Sequence, residues 1–283
     1  MAALILGGVL LALAVWVIAR QRARRGNLAA LRRALAQIRL LRQLIEQVQR
    51  HRGLFYGVLS GEGALEGRRW SVNQQINQVL EGCRQHMASL HWYDSWHEAL
   101  AYWNRIEQGE FHGSAEQMLQ AHNEMIRLLL VTIQSLADRN DLVCLGRLAP
   151  QAEGLWLELL NNTETVGQSR AIGTGIVANR QNLPIWRAHL ASLNAQINEQ
   201  CYAALARLVS DPELRASVSQ PVRVAEEALD ALLERIRELL ERPDNVSMQS
   251  VEYFQIATQA LSAQLVLVDL LLDRLEQRSV NSC

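Results

Sequence analysis

An all-α fold is what the sequence predicts: long antiparallel helices grouped into two similar bundles side by side, preceded by one N-terminal transmembrane helix. Three observations carry this. Only five prolines occur in 283 residues, and the period-two alternation of strands is absent. An uncharged apolar run opens the chain. One amphipathic pattern occurs twice, far apart in the sequence.

The opening run is Ala2 to Ala19, 18 consecutive residues without a charged or strongly polar group. As a helix it spans roughly 27 Å, enough for a bilayer core. Arg20, Arg22, Arg24, Arg25, Arg32 and Arg33 follow it. The positive-inside rule then sets the bulk of the chain in the cytoplasm, on a single-pass anchor in the inner membrane. A cleaved signal peptide is the competing reading, with Val17-Ile18-Ala19 as its cleavage site, but no positive segment precedes the run. The expected division is residues 1–19 as anchor and 20–40 as basic juxtamembrane segment and start of the first helix. Residues 41–148 form the first helical half and 149–283 the second.

Breaks are expected near 61–67, 108–114, 137–141, 149–151, 179–184, 210–212 and 242–247, where glycine, proline and short polar residues gather. Ser114 followed by Gln117 reads as a capping box, and Asp211-Pro212 as an N-cap with proline at the first helical position. Long helices joined by short connections pack as bundles.

Composition excludes several functions. The formal net charge is -1, which removes the basic face a nucleic-acid binder needs. All 28 basic residues are arginine, consistent with the codon bias of a GC-rich genome, so an arginine is not special for its type alone. Cys83, Cys144, Cys201 and Cys283 are scattered without a CxxC and read as free thiols of a reducing compartment. Cys83, His86, His91 and His97 lie among Trp92, Trp96 and Trp103. The tryptophan stripe reads as bundle core, and the Cys/His spacing lacks the signature of a zinc site. There is no phosphate-binding glycine loop, no haem attachment motif and no nucleophile–base constellation. The expectation is a protein that is not an enzyme and has no cofactor.

One position breaks the helical pattern. Leu41, Ile45, Val48, Phe55 and Leu59 form a seam whose gap of seven should hold an apolar residue at 52, and that residue is Arg52. The segment from Glu46 to Ser60 recurs from Glu164 to Ala178, 118 residues on, as E-x-V-x-x-x-R-[GA]-[LI]-x-x-G-[VI]-[LV]-[SA]. Arg170 takes the same seam position in the second copy. A seam arginine is either half of a structural ion pair or part of a buried anion site. Guanidinium stays charged and presents a planar fork of donors that matches a planar oxyanion. Gly53, Gly57, Gly173 and Gly175 leave room for close helix approach or a small ligand.

These two segments resemble the nitrate- and nitrite-sensing (NIT) domain family. His51-Arg52-Gly53 is similar to the family's first-helix motif and Ser169-Arg170-Ala171 to its middle-helix motif, with His51 and Ser169 standing where the family pattern has glutamate. The stretch "YFQIATQALSAQL", Tyr253 to Leu265, is similar to the family's terminal aromatic-x-x-x-Thr helix. The resemblance implies two four-helix bundles, residues 41–283 forming one sensor domain, with a small inorganic anion, nitrate or nitrite, held between the arginine-bearing helices. Arg50 and Arg187 join Arg52 and Arg170 as candidate ligand-binding residues by position. The chain ends directly after its last helix, so a signal is expected to leave through a separate signalling protein or the membrane helix. A homodimer is one arrangement the sequence allows. The alternative function is a helical scaffold of a membrane complex, whose mark would be both arginines paired with internal carboxylates such as Glu46 or Glu164 and no cavity.

Overall fold

The computed structural model describes the backbone of residues 2–86, 88–142, 154–242 and 246–281. It describes the side chains of residue 16 and of residues 28–84, 89–142, 154–242 and 246–277. No strand occurs among the described residues. The chain opens with one 58-residue helix, α1 (Ala2–Leu59), which no proline interrupts. A 3-10 turn, Gly63–Leu65, leads into α2 (Glu66–His86), and a second, Ala88–Trp92, into α3 (Asp94–Glu107). Then come α4 (Ala115–Arg139), α5 (Leu155–Asn179) and α6 (Pro184–Gln196). A π-turn, Ile197–Cys201, carries α6 directly into α7 (Tyr202–Ser210). α8 (Arg215–Glu241) and α9 (Ser250–Asn281) complete the order.

Local chemistry sets the boundaries. Ser114 Oγ accepts from Gln117 N at 3.3 Å and starts α4, satisfying one of the orphan donors of a helix start. Pro184 opens α6, where its missing N–H costs nothing. Asp211 acts one turn earlier than the sequence suggests. Its Oδ1 accepts from Glu213 N and Leu214 N at 2.8 and 3.2 Å, closing a separate turn before α8 begins at Arg215. The break expected at 149–151 lies outside the described residues.

Packing falls into two groups. α1 lies along α2 and α4, with α3 against α4; α5 lies along α9 and α6, with α8 against α9 and α7. The groups meet chiefly where α1 runs along α5, with smaller contacts of α1 to α9 and α4 to α5. α5 is therefore enclosed, and 18 of its 25 residues are buried, which fits a helix whose apolar and small residues are not confined to one face. Its glycines permit the close approach. A Cβ on Gly173 would stand 2.1 Å from the Tyr253 ring of α9, and one on Gly175 2.1 Å from the Tyr56 ring of α1.

The tryptophan stripe needs a correction. Trp96 and Trp103 are core, and Trp103 Nε1 donates to Asn77 Oδ1 at 2.9 Å. Trp92 is 62% exposed. The chain leaves its helix after His86 and re-enters at Asp94, so the helical spacing that aligned the three residues does not extend to Trp92. Its ring instead carries the Arg139 guanidinium at 4.9 Å.

Among the described residues one helix is long and apolar enough to cross a membrane, Ser250–Gln277 of α9, and half of its apolar window is buried against the other helices. Tyr253, Leu261, Val268 and Leu272 are packed core residues, so its apolarity belongs to the interior. The expected span Ala2 to Ala19 is helical backbone within α1; its side chains, Trp16 apart, lie outside the described residues.

Candidate functional site

Where α1 crosses α5, the two seam arginines are interior residues. Arg52 and Arg170 are each 1% exposed. The interior extends over neighbouring polar side chains, for Gln49 and His51 on α1 and Ser169 and Thr174 on α5 are also fully buried. Every buried donor and acceptor there needs a partner, and the two arginines differ in how far that requirement is met.

Arg52 is held on all but one atom. Its Nη1 donates to Glu164 Oε1 at 2.5 Å and to Asn123 Oδ1 of α4 at 2.6 Å, and its Nη2 donates to Glu164 Oε2 at 3.2 Å. The fork–carboxylate pair thus runs from α1 to α5. Glu164 also accepts from Gln49 Nε2 at 2.9 Å and from Gln168 Nε2 at 3.0 Å. A glycine makes room: a Cβ on Gly167 would lie 2.8 Å from Arg52 Nη2. Arg52 Nε and Gln49 Oε1 are buried without a partner.

Among the described residues the Arg170 side chain makes one hydrogen bond, Nη1 donating to Thr258 Oγ1 of α9 at 3.0 Å. Its guanidinium carbon sits 5.0 Å from the centre of the Phe254 ring, a cation–π contact. Nε and Nη2 are buried without partners, and no carboxylate is paired with it among the described residues. Burial pulls its pKa down to about 9, and the positive charges of Arg52 and Arg50 act in the same direction, against Glu46 and Glu164. At neutral pH it remains an interior cation with two free donors. Gly53 lies against it, 3.5 Å from Nε to a Cβ built there.

Of the other two candidates, Arg50 is half-buried on α1 and approaches Glu46 at 3.6 Å; its charge is felt at Arg170. Arg187 is half-buried on the first turn of α6, and no contact links it to either guanidinium among the described residues.

A histidine pair flanks Arg52. His51 and His122 are fully buried, with His51 Nδ1 and His122 Nε2 2.8 Å apart and His122 Nδ1 2.7 Å from Met118 O. The carbonyl can only accept, so His122 Nδ1 carries a proton and its Nε2 accepts from His51 Nδ1–H. That leaves His51 Nε2 as acceptor, 3.5 Å from Arg69 Nη1. The chain of donors is complete with both rings neutral. Burial holds His51 well below the usual histidine range, with the charges of His122, Arg69 and His112 adding to it. Burial likewise takes His122 down to about 3 against the pull of the Met118 carbonyl, and Arg52 and Arg69 deepen the fall.

An 800 Å³ cleft opens between α3, α4 and α5, lined by Tyr102, Arg105, Phe111, Asn123, Glu164 and Gln168 among others. Neither guanidinium lines it. It reaches Arg52 only through Asn123 and Glu164, so the two arginines do not converge on this cleft.

Sequence reasoning placed both guanidiniums in the interior. The aromatic-x-x-x-Thr stretch of α9 supplies Phe254 and Thr258, and Glu164 is the internal carboxylate of the scaffold reading. Asn123, Gln49 and the His51–His122 pair were not identified; each is an ordinary helix residue whose partner comes from another helix.

The fold and this crossing define an all-helical protein with a buried cationic centre. Residues 43–276 match the family model described as nitrate and nitrite sensing, and the chain belongs to this NIT family. Among solved structures, that of the NasR transcription antiterminator is similar, at 20% identity and a TM-score of 0.63, over 95% of this chain and 74% of that one; at this identity the likeness concerns the fold. No curated protein matches the sequence.

Proposed function

We propose that the protein senses a small planar oxyanion, nitrate or nitrite, bound between α1 and α5 by Arg170 and Arg52. The observation that carries this is Arg170: a fully buried guanidinium with two unpartnered nitrogens and, among the described residues, no paired carboxylate. An isolated interior charge is costly unless something compensates it, and an anion would. Family membership and the NasR-like fold support a sensing, non-catalytic role. Arg50 contributes to the positive field at Arg170, and Arg187 is left outside the site. In this reading residues 41–148 and 149–283 form two four-helix bundles that the anion draws together. Residues 1–19 anchor the chain in the inner membrane with its bulk in the cytoplasm, residues 20–40 being the basic segment beneath, and a separate protein takes the signal.

The scaffold reading has one observation in its favour, since the Arg52–Glu164 pair is an internal ion pair between helices. Arg170 does not share that mark. Thermal denaturation in nitrate, nitrite or chloride at equal ionic strength separates the two. Ligand binding to the native state alone raises stability by about 2.7 kcal/mol at a hundredfold excess over Kd. The expected result is a nitrate- or nitrite-specific rise in Tm that Arg170→Ala abolishes while leaving the ligand-free Tm equal or higher. No specific rise with either anion removes these ligands, and an Arg170→Ala protein that binds as well as the parent refutes the site.

A further inference from the structure

We infer that Glu164 sets the charge of the anion this site accepts, restricting it to one negative charge; the inference rests on the reading of Arg170 and Arg52 as the anion site. The charges at the crossing can be followed one by one. Arg52 and Glu164 form a bidentate pair and cancel. Arg50 and Glu46 lie together on α1, and Arg42 on the same face pairs with Glu46 and with Asp269 of α9. Arg69 of α2, beyond the histidine pair, is matched by Glu66. The histidines are neutral. What remains uncompensated is Arg170, one positive charge in an interior that screens little.

A monovalent anion on the free donors of Arg170 brings the crossing to neutrality. A divalent anion of similar size would leave one excess negative charge in the same low-dielectric space, within the field of the Glu164 carboxylate, whose charge acts on Arg170. Discrimination by repulsion needs a fixed charge that cannot retreat, and Glu164 is fixed. Arg52, Gln49 and Gln168 donate to its two oxygens from two helices. Its side chain keeps 13% of its surface exposed, on the lining of the α3–α4–α5 cleft, beside a partner side chain that is wholly buried. The carboxylate therefore neutralises one of two guanidiniums and leaves a centre of charge +1.

Glu164→Gln is the test, because it keeps the shape and an Oε1 acceptor for Arg52 while removing the charge. Calorimetric titration of the full chain uses nitrate and nitrite as monovalent probes and sulfate as the divalent one, at neutral pH and constant ionic strength. The parent protein is expected to bind a monovalent probe and reject the divalent one. Glu164→Gln is expected to raise affinity for all, and to improve the divalent-to-monovalent affinity ratio by at least about tenfold, the consequence of deleting one nearby charge at interior dielectric. Glu164→Ala should move the ratio the same way. Glu164→Asp, with the charge on a shorter arm, should hold the discrimination even where nitrate affinity falls, which separates charge from packing if Glu164→Gln melts early. An unchanged ratio in both the Gln and Ala variants overturns the inference and leaves the anion site standing. Absence of binding by any probe to both the parent and the Glu164 variants removes the anion site and the inference together.

Discussion

Arg52 and Arg170 occupy equivalent positions in two copies of one sequence pattern, yet one is neutralised and the other is not. The explanation lies one turn and a half upstream, at Glu46 and Glu164, which are also equivalent. Glu46 has an arginine four residues to either side, Arg42 and Arg50, and both approach it on its own helix. Glu164 has Leu160 and Gln168 at those places. With no cation four residues away on α5 to hold it, Glu164 reaches across to Arg52 of α1. The reciprocal bridge, Glu46 to Arg170, does not form, and Arg170 is left open. Two substitutions in the i±4 neighbourhood of a carboxylate are thus enough to turn a symmetric repeat into an asymmetric charge centre.

Breaking the closed half should cost most. Arg52→Ala leaves Glu164 without its cation and Asn123 without its donor, and is expected to destabilise the protein by about 3–5 kcal/mol, the range for a buried pair that loses one partner; urea denaturation measures it. Arg170→Ala, with no pair to break, should not approach that loss.

Acid should loosen the same half next. His51 of the first copy corresponds to Ser169 of the second, whose backbone oxygen accepts from Tyr253 Oη at 3.0 Å and does not titrate. Both histidines have folded pKa values below the unfolded one. As pH falls the unfolded chain binds protons first, so the stability of the neutral pair is complete above about 6.5 and is lost as pH drops toward about 3, where His122 titrates in the fold. Inside that window His122 contributes a slope approaching about 1.4 kcal/mol per pH unit, and His51 acts in the same direction. The slope from pH 6 to 4.5 should shrink in His122→Gln, as followed by denaturant titration at each pH.

The smallest effect sharpens the comparison from the other side. Replacing Arg42 and Arg50 together by glutamine frees Glu46, whose charge already acts on Arg170. A bridge to Arg170 would restore the missing symmetry and compete with an anion. Nitrate affinity is expected to fall by about tenfold, roughly 1.4 kcal/mol, with Arg170→Ala unaffected by the same pair of changes. Unaltered nitrate affinity would show that Arg42 and Arg50 do not keep the site open.

The helical class and the interior place of both arginines follow from period and spacing alone, because a seam is a local pattern that one helix displays by itself. The same logic misplaced Trp92, since nothing in its spacing reveals that the helix stops at His86. The asymmetry was harder to see. Sequence repetition makes Arg52 and Arg170 look alike, and only the geometry between helices shows which carboxylate crosses. Asn123 and His122 illustrate the same limit: they contact the consecutive residues Arg52 and His51 from a helix about 70 positions away, a pairing that no local periodicity encodes.

The length of α1 gives the crossing a mechanical reach. Fifty-eight residues at 1.5 Å each make a rod of about 87 Å, with Arg52 near one end and Ala2 at the other. No proline joint lies between them, so a twist of the rod at the arginine is inherited along its length as a change of azimuth. Each residue advances the face by about 100°, and among the described residues the first buried side chain along the helix is Leu31. One residue added ahead of Leu31 would turn everything upstream by about 100°, a little over a quarter of a revolution, while leaving the sequence of the charge centre unchanged.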